Sequence, residues 1–139
     1  MKKLLVDTNI LLDLLARRVP HYNEAAELFS LADRKKVTLA VSSLSMVNAH
    51  YILRKQKSES EGRKILRNLK ILVRVLPLDD RICTLALNSD FSDFEDAIQH
   101  HSAIEHGQEI IITRNLSDYK ASTLPVMTAR DFIHSGLVK

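Results

Sequence analysis

The chain has 139 residues, of which 45% are hydrophobic and 27% are charged, and its formal net charge is +3. This length predicts a single domain over residues 1–139, because it is too short for two ordinary cores. Three glycines exclude the Rossmann and P-loop phosphate-binding motifs, and one cysteine excludes an internal disulfide framework. The missing disulfides suit a reducing compartment, so we expect a cytoplasmic protein.

The first residues and the charge distribution add two expectations. Lys2 and Lys3 precede an apolar run, as in a secretion signal, but Asp7 and Asp13 interrupt that run, and we expect neither a signal nor a membrane segment. Residues 1–74 contain 15 Lys/Arg and 7 Asp/Glu, whereas residues 75–139 contain 5 and 10, giving +8 and −5. This imbalance suits an enzyme that cleaves phosphodiesters with bound metal, although an unspecialised solvated surface gives the same pattern.

Strand and helix patterns alternate along the chain. A strand over 2–6 precedes helices over 9–15 and 25–32, and a strand over 37–41 precedes helices over 44–52 and 65–72. The pattern continues with a strand over 73–78, helices over 82–86 and 94–104, strands over 109–113 and 124–128, and a last short helix. Strands separated by helices predict a three-layer α/β/α sandwich with a mostly parallel sheet of about five strands.

Several helix starts carry capping residues. Ser58 with Glu61 and Ser92 with Glu95 have the spacing of capping boxes, in which a hydroxyl and a carboxylate satisfy free backbone donors. Further caps are expected from Asp79 or Asp80, from Thr128 with Asp131, and from the serines at 42, 43 and 45, which lack the surroundings of a nucleophile elbow. His100, His101 and His106 do not form a zinc motif, and we expect surface or partly buried structural roles for them.

Acidic residues follow the predicted strands at the edge where parallel sheets bind ligands. Asp7 follows the first strand, Asp118 follows the fourth, and Asp93 and Asp96 share one side of a helix at its first turn. Carboxylates held close together repel one another unless a cation offsets them, and Mg²⁺ or Mn²⁺ prefers such oxygen ligands. Helix capping alone accounts for Asp93, and an Asx turn is an alternative role for Asp118 or Asn115. Capping is a weaker explanation of Asp7, because Thr8 or Asn9 could cap the same helix instead.

A basic ridge lies opposite the apolar stripe of the helix over 65–72. It consists of Arg63, Arg67, Lys70 and Arg74. Such a ridge suits contact with nucleic-acid phosphates, although most basic helix faces are only solvated.

Three motifs, in order along nearly the full chain, resemble those of PIN-domain ribonucleases, a group that includes the toxins of many bacterial toxin–antitoxin pairs. They are LLVDTNILLD at 4–13, DFEDAI at 93–98 and ITRNLSD at 112–118, and LPVMT at 124–128 follows them. The resemblance implies a metal-dependent ribonuclease, an antitoxin partner and a homodimer. It implies metal binding at Asp7 and Asp96 with Asp93 nearby, and it matches Thr113, Asn115 and Asp118 to the last motif.

One position departs from the family pattern. Where many relatives carry a glutamate in the helix after the second strand, this chain has Asn48, and Asn115 also stands where an acid is frequent. An amide oxygen brings no negative charge, so metal affinity or activity is expected to be reduced. The sequence therefore predicts RNA hydrolysis with Mg²⁺ or Mn²⁺ held by Asp7 and Asp96 with Asp93 or Asp118. The alternatives are a PIN-like module that binds without cutting and, ranked lower, a receiver-like regulatory domain phosphorylated at Asp79.

Overall fold

The computed structural model describes residues 1–138, which form five strands, seven α-helices and a short 3₁₀ helix. The strands are β1 (Lys2–Val6), β2 (Val37–Ser42), β3 (Val73–Leu76), β4 (Ile110–Ile112) and β5 (Val126–Met127). They make one parallel sheet in the order β3-β2-β1-β4-β5. The sheet confirms the predicted α/β/α class. β1 lies at its centre.

Helices cover both faces of this sheet. They are α1 (Thr8–Leu15), α2 (Tyr22–Asp33), α3 (Ser43–Gln56), α4 (Glu59–Leu69), α5 (Asp80–Leu87), α6 (Phe94–Glu105) and α7 (Ala129–Ile133), with the 3₁₀ helix at Leu116–Tyr119. Side chains alternate along β1, so Leu4 packs on one face with residues of α1 to α4 and α7, whereas Leu5 faces Ala103 of α6. Within residues 1–138, no helix has the length and apolar character needed to cross a membrane.

The structure corrects one predicted capping box. Asp93, and not Ser92, is the N-cap of α6, because its Oδ1 accepts a hydrogen bond from the Glu95 backbone N–H at 2.8 Å. The N-cap lies one residue later than the Ser92–Glu95 spacing predicted, and it satisfies the same Glu95 backbone N–H. The caps expected from Ser58, Asp79 and Thr128 are confirmed, and Ser42 caps α3.

Three further expectations need smaller corrections. β3 ends at Leu76 and β5 keeps only Val126–Met127, so both are shorter than predicted. His100 is more buried than expected, with 3% of its surface exposed, and its Nε2 accepts a hydrogen bond from the Thr123 backbone N–H at 3.1 Å.

Candidate active site

Asp7 is held rigidly at the carboxyl end of the central strand. Its backbone N–H donates to the Ile112 carbonyl oxygen at 2.9 Å, and its extended conformation makes it the N-cap of α1. Oδ1 accepts from the Thr8 backbone N–H at 2.7 Å, and Oδ2 accepts from Thr113 Oγ1 at 2.9 Å. The carboxylate is only 7% exposed. Both oxygens are therefore oriented before any ligand binds.

Asp96 lies on the first turn of α6, three residues after the Asp93 N-cap. It is half-buried, whereas Asp93 is exposed. Burial is the main cause that raises the pKa of Asp96 to about 7, and the negative charges of Asp93, Asp7 and Asp118 raise it further. Three other acids, from three segments of the chain, therefore lie close enough to act on the Asp96 carboxyl group.

Asp7 also has a raised pKa. Burial is the largest cause, the charge of Asp118 adds to it, and the hydrogen bonds from Thr113 and Thr8 oppose it. Tyr119, at the end of the 3₁₀ helix, places a buried hydroxyl near Asp7, although no hydrogen bond of good geometry reaches that hydroxyl within residues 1–138. Burial and the nearby charges of Asp7 and Asp96 raise the pKa of Tyr119 far above its ordinary value, so the phenol stays neutral.

The donor set fits a hard divalent cation in its chemistry. Among residues 1–138, no base forms an ion pair with Asp7, Asp93, Asp96 or Asp118, so their repulsion is uncompensated. In the same residues, no three acidic, histidine or cysteine side chains are arranged to hold a metal ion together. Mg²⁺ is commonly bound through one or two carboxylates while it keeps several waters, and Asp7 with Asp96 meets that requirement. Metal binding by Asp7, Asp96 and Asp93 stays a prediction.

The predicted supporting residues differ in their surroundings. Thr113 is fully buried, donates to Asp7 and accepts from the Asn115 backbone N–H at 3.1 Å. The Asn115 and Asp118 side chains are exposed, Asn115 at the start of the 3₁₀ helix and Asp118 within it. Asn48 is half-buried on α3, one helical turn after Ser45, whose hydroxyl lies 2.7 Å from Thr8 Oγ1. Thr113 is thus tied to Asp7 directly, and Asn48 lies near the same region through α3.

An ion pair that the sequence analysis missed lies beside the site. The carboxylate of Asp13, which is completely buried, accepts from Arg114 Nε at 2.8 Å and Nη2 at 3.2 Å. Arg114 follows Thr113, so this pair ties α1 to the chain leaving β4. An aspartate inside the run LLDLL was a signal of a buried charge, but its partner is 101 residues away along the chain.

The basic ridge is exposed as predicted, with one qualification. Arg63, Arg67, Lys70 and Arg74 are all exposed, but Arg63 Nε forms an ion pair with Glu59 at 2.6 Å. The ridge lies on α4 and the edge strand β3, whereas Asp7 and Thr113 end β1 and β4. One strand, β2, lies between β3 and β1, so the ridge lies to one side of the acids.

Comparison with known proteins places this arrangement in a family. A family described as the PIN domain matches residues 3–117, which include Asp7, Asp93, Asp96 and Thr113. The chain belongs to the PIN-domain family. A curated relative, Ribonuclease VapC1 of Aquifex aeolicus (strain VF5), is 23% identical, and the match covers 94% of this chain and 93% of the relative.

Two solved structures show the same PIN-domain fold. A toxin–antitoxin complex from Klebsiella pneumoniae contains a chain that is 26% identical, with a TM-score of 0.67 over 90% of this chain and 96% of that one. DNA-bound VapBC from Salmonella typhimurium contains one that is 15% identical, with a TM-score of 0.70 over 93% and 99%. The family assignment replaces the receiver-like alternative. Asp79 is accounted for as the N-cap of α5.

Proposed function

We propose that this PIN-domain protein hydrolyses RNA phosphodiester bonds with a bound Mg²⁺ or Mn²⁺ ion. The observation that carries the proposal is the buried Asp7 carboxylate, held at the end of β1 by Thr8 and Thr113, close enough to Asp96 and Asp118 for their charges to act on one another. A protein gains nothing in stability from gathering uncompensated acids. A cation bound in the active site explains why these acidic side chains are clustered.

In this proposal Asp7 and Asp96 hold the ion, and Asp93 or Asp118 assists them. When bound, the ion would supply a water of lowered pKa and offset the negative charge that develops on the phosphate. Thr113 and the Thr8 backbone N–H keep the Asp7 carboxylate in one orientation, so that less ordering is needed when substrate arrives. The neutral, buried Tyr119 lies close to Asp7.

The relatives suggest the partners. The Klebsiella and Salmonella structures are of toxin–antitoxin assemblies, and we propose that this chain is the toxin of such a pair, with RNA as substrate and an antitoxin protein as partner. A homodimer is a further proposal. Exposed apolar side chains at Val47 and Tyr51, one turn apart on α3, provide a surface for it, and sedimentation of the purified chain tests it.

A cleavage assay with defined product ends tests the activity. The purified chain is incubated with end-labelled RNA in EDTA, and then with Mg²⁺ or Mn²⁺ restored. Attack by water predicts products without 2′,3′-cyclic phosphates, whereas attack by the RNA 2′-hydroxyl would leave them. Asp7→Asn should abolish the metal-dependent products. An intact RNA under all conditions would favour the non-cutting module that the amide at Asn48 suggests.

A further inference from the structure

A buried polar network lies directly behind the two principal acids. Gln99 of α6 is 3% exposed, and its Nε2 donates to Ser45 Oγ of α3 at 2.7 Å and to Thr8 Oγ1 of α1 at 3.3 Å. The Thr8 and Ser45 hydroxyl oxygens are themselves 2.7 Å apart. One side-chain amide therefore joins three helices at a single point.

The available donors and acceptors determine which atom donates in each hydrogen bond of this network. Ser45 Oγ accepts from Gln99 Nε2 and from Ser42 Oγ, which lies 3.3 Å away, so both of its lone pairs are used. The Ser45 hydroxyl hydrogen is therefore available to donate to Thr8 Oγ1. Thr8 then accepts from both Gln99 and Ser45 and keeps its hydroxyl hydrogen free. The opposite orientation of the Gln99 amide would leave a buried NH₂ group with no acceptor, which costs more than an unpaired carbonyl oxygen.

The residues at the two ends of the network, Thr8 and Gln99, lie close in sequence to Asp7 and Asp96. Thr8 follows Asp7 and donates its backbone N–H to Asp7 Oδ1 at 2.7 Å. Asp96 lies three residues before Gln99, on the preceding turn of α6. Because α1 packs against one face of the sheet and α6 against the other, the network crosses the carboxyl edge between them. It joins α1, which Asp7 caps, to α6, which carries Asp96, through side-chain hydrogen bonds outside the sheet.

We propose that Gln99 is a positioning residue of this site, whose amide sets the spacing between the Asp7 and Asp96 carboxylates for binding a divalent ion. The inference rests on the proposed function only in taking these two acids as the metal ligands. Two like charges drive their helices apart in the absence of metal, and hydrogen bonds from Gln99 to Thr8 and Ser45 oppose that movement. Groups hydrogen-bonded directly to metal ligands commonly change metal affinity about 10- to 100-fold when they are removed, and Gln99 acts on Asp7 through Thr8, so we expect an effect toward the lower end of that range.

Gln108 provides a matched control. It is 4% exposed, its Nε2 donates to the His106 carbonyl oxygen at 2.9 Å, and its Oε1 is buried and unpaired, like that of Gln99. Gln108 lies just before β4, at the end of the sheet opposite to the acids. Replacing either glutamine by leucine removes a buried amide, but only one replacement touches the network.

The test compares Gln99→Leu with Gln108→Leu by calorimetric Mn²⁺ titration and urea unfolding. Both variants should lose stability, but Gln99→Leu should weaken Mn²⁺ affinity about ten-fold or more, whereas Gln108→Leu should stay within about two-fold of wild type. Thr8→Val and Thr8→Ser give a second pair that does not depend on the folding of Gln99→Leu. The valine should lose affinity because it lacks the hydroxyl, and the serine should keep it.

The outcomes separate this inference from the proposed function. Unchanged Mn²⁺ affinity in Gln99→Leu or in Thr8→Val, with wild type still cutting RNA, would overturn the inference alone. A wild-type chain that binds Mn²⁺ through a Gln99-dependent site yet leaves RNA intact would overturn the function and support the inference. A wild-type chain that binds no Mn²⁺ would contradict both.

Discussion

At the scale of single residues, Asp96 carries the clearest electrostatic cost. Its pKa rises from the ordinary 3.8 to about 7, mainly through burial and then through the charges of Asp93 and Asp7. A carboxyl whose pKa is higher in the folded chain than in the unfolded chain favours folding only while it is protonated. Without metal, this contribution is fully present below about pH 4 and is lost as the pH rises through 7.

Asp96→Asn removes that pH dependence. Without metal at pH 8, we expect the variant to be more stable than wild type by about 1 kcal/mol, after allowing for the solvent screening of a half-exposed group. The two proteins should converge near pH 4. Urea unfolding in EDTA at several pH values measures the difference, while the cleavage assay should find the variant inactive. A variant that is less stable at pH 8 would show that Asp96 has a structural role.

A substitution at Asn48 tests the effect of adding a carboxylate rather than removing one. Asn48 is half-buried one turn after Ser45, which contacts Thr8, so a glutamate at this position would bring a carboxylate toward the acids. Asn48→Glu should raise Mn²⁺ affinity and keep or increase cleavage, because a further anionic ligand attracts the ion. Asn48→Gln, with the same length and no charge, is the control. Loss of folding in the glutamate variant alone would mean that the side chain packs away from the site, since a buried unpaired charge costs several kcal/mol.

At the scale of elements, the Asp13–Arg114 pair holds α1 against the segment that supplies Thr113. Arg114→Met leaves the fully buried Asp13 carboxylate without a partner and should destabilise the fold by about 3 kcal/mol. The double variant Asp13→Leu/Arg114→Met removes both charges and should recover much of that loss. Urea unfolding of the two singles and the double measures the coupling. Strict additivity of the single effects would show that the pair does not act as a unit.

The elements also show what the sequence alone could predict. Continuous apolar strands such as β1 and β4 and the helical stripes between them were enough for the layers and the parallel sheet, because burial on both faces leaves a clear pattern. The sequence left Ser92 and Asp93 as competing caps of α6, because a serine, an aspartate and a glutamate stand together at 92–95 and only the backbone conformation decides between them.

Contacts between distant segments had no sequence signal of their own. Asp7 and Thr113 were identified through motifs, but Gln99 meets Thr8 across 91 residues and Ser45 across 54. A glutamine, a serine and a threonine are common on helices, so only the packing of α1, α3 and α6 makes this set distinctive. Tyr119 was missed for the same reason, since its burial depends on how the 3₁₀ helix returns to the sheet.

At the scale of the whole molecule, the basic ridge provides a test of RNA binding that is separate from cutting. If Arg67 and Lys70 contact phosphates, replacing both with glutamine should lower the slope of log affinity against log salt by roughly two, and Arg63→Gln should change it less because Glu59 already offsets that charge. Filter binding of RNA to a non-cutting Asp96→Asn background measures the slope. Lys35 and Lys36, exposed at the turn before β2, serve as the control pair. Equal slopes for ridge and control variants would make the ridge an ordinary solvated face.

The account as a whole depends on a cation between Asp7 and Asp96, and anomalous diffraction from crystals soaked in Mn²⁺ tests this most directly. We predict a Mn²⁺ peak at the carboxyl end of β1, with oxygen atoms of Asp7 and Asp96 at about 2.0–2.3 Å and waters completing the shell. The peak should disappear in Asp96→Asn crystals soaked identically. A peak elsewhere on the molecule, or none near these two carboxylates at saturating Mn²⁺, would contradict the metal-dependent mechanism.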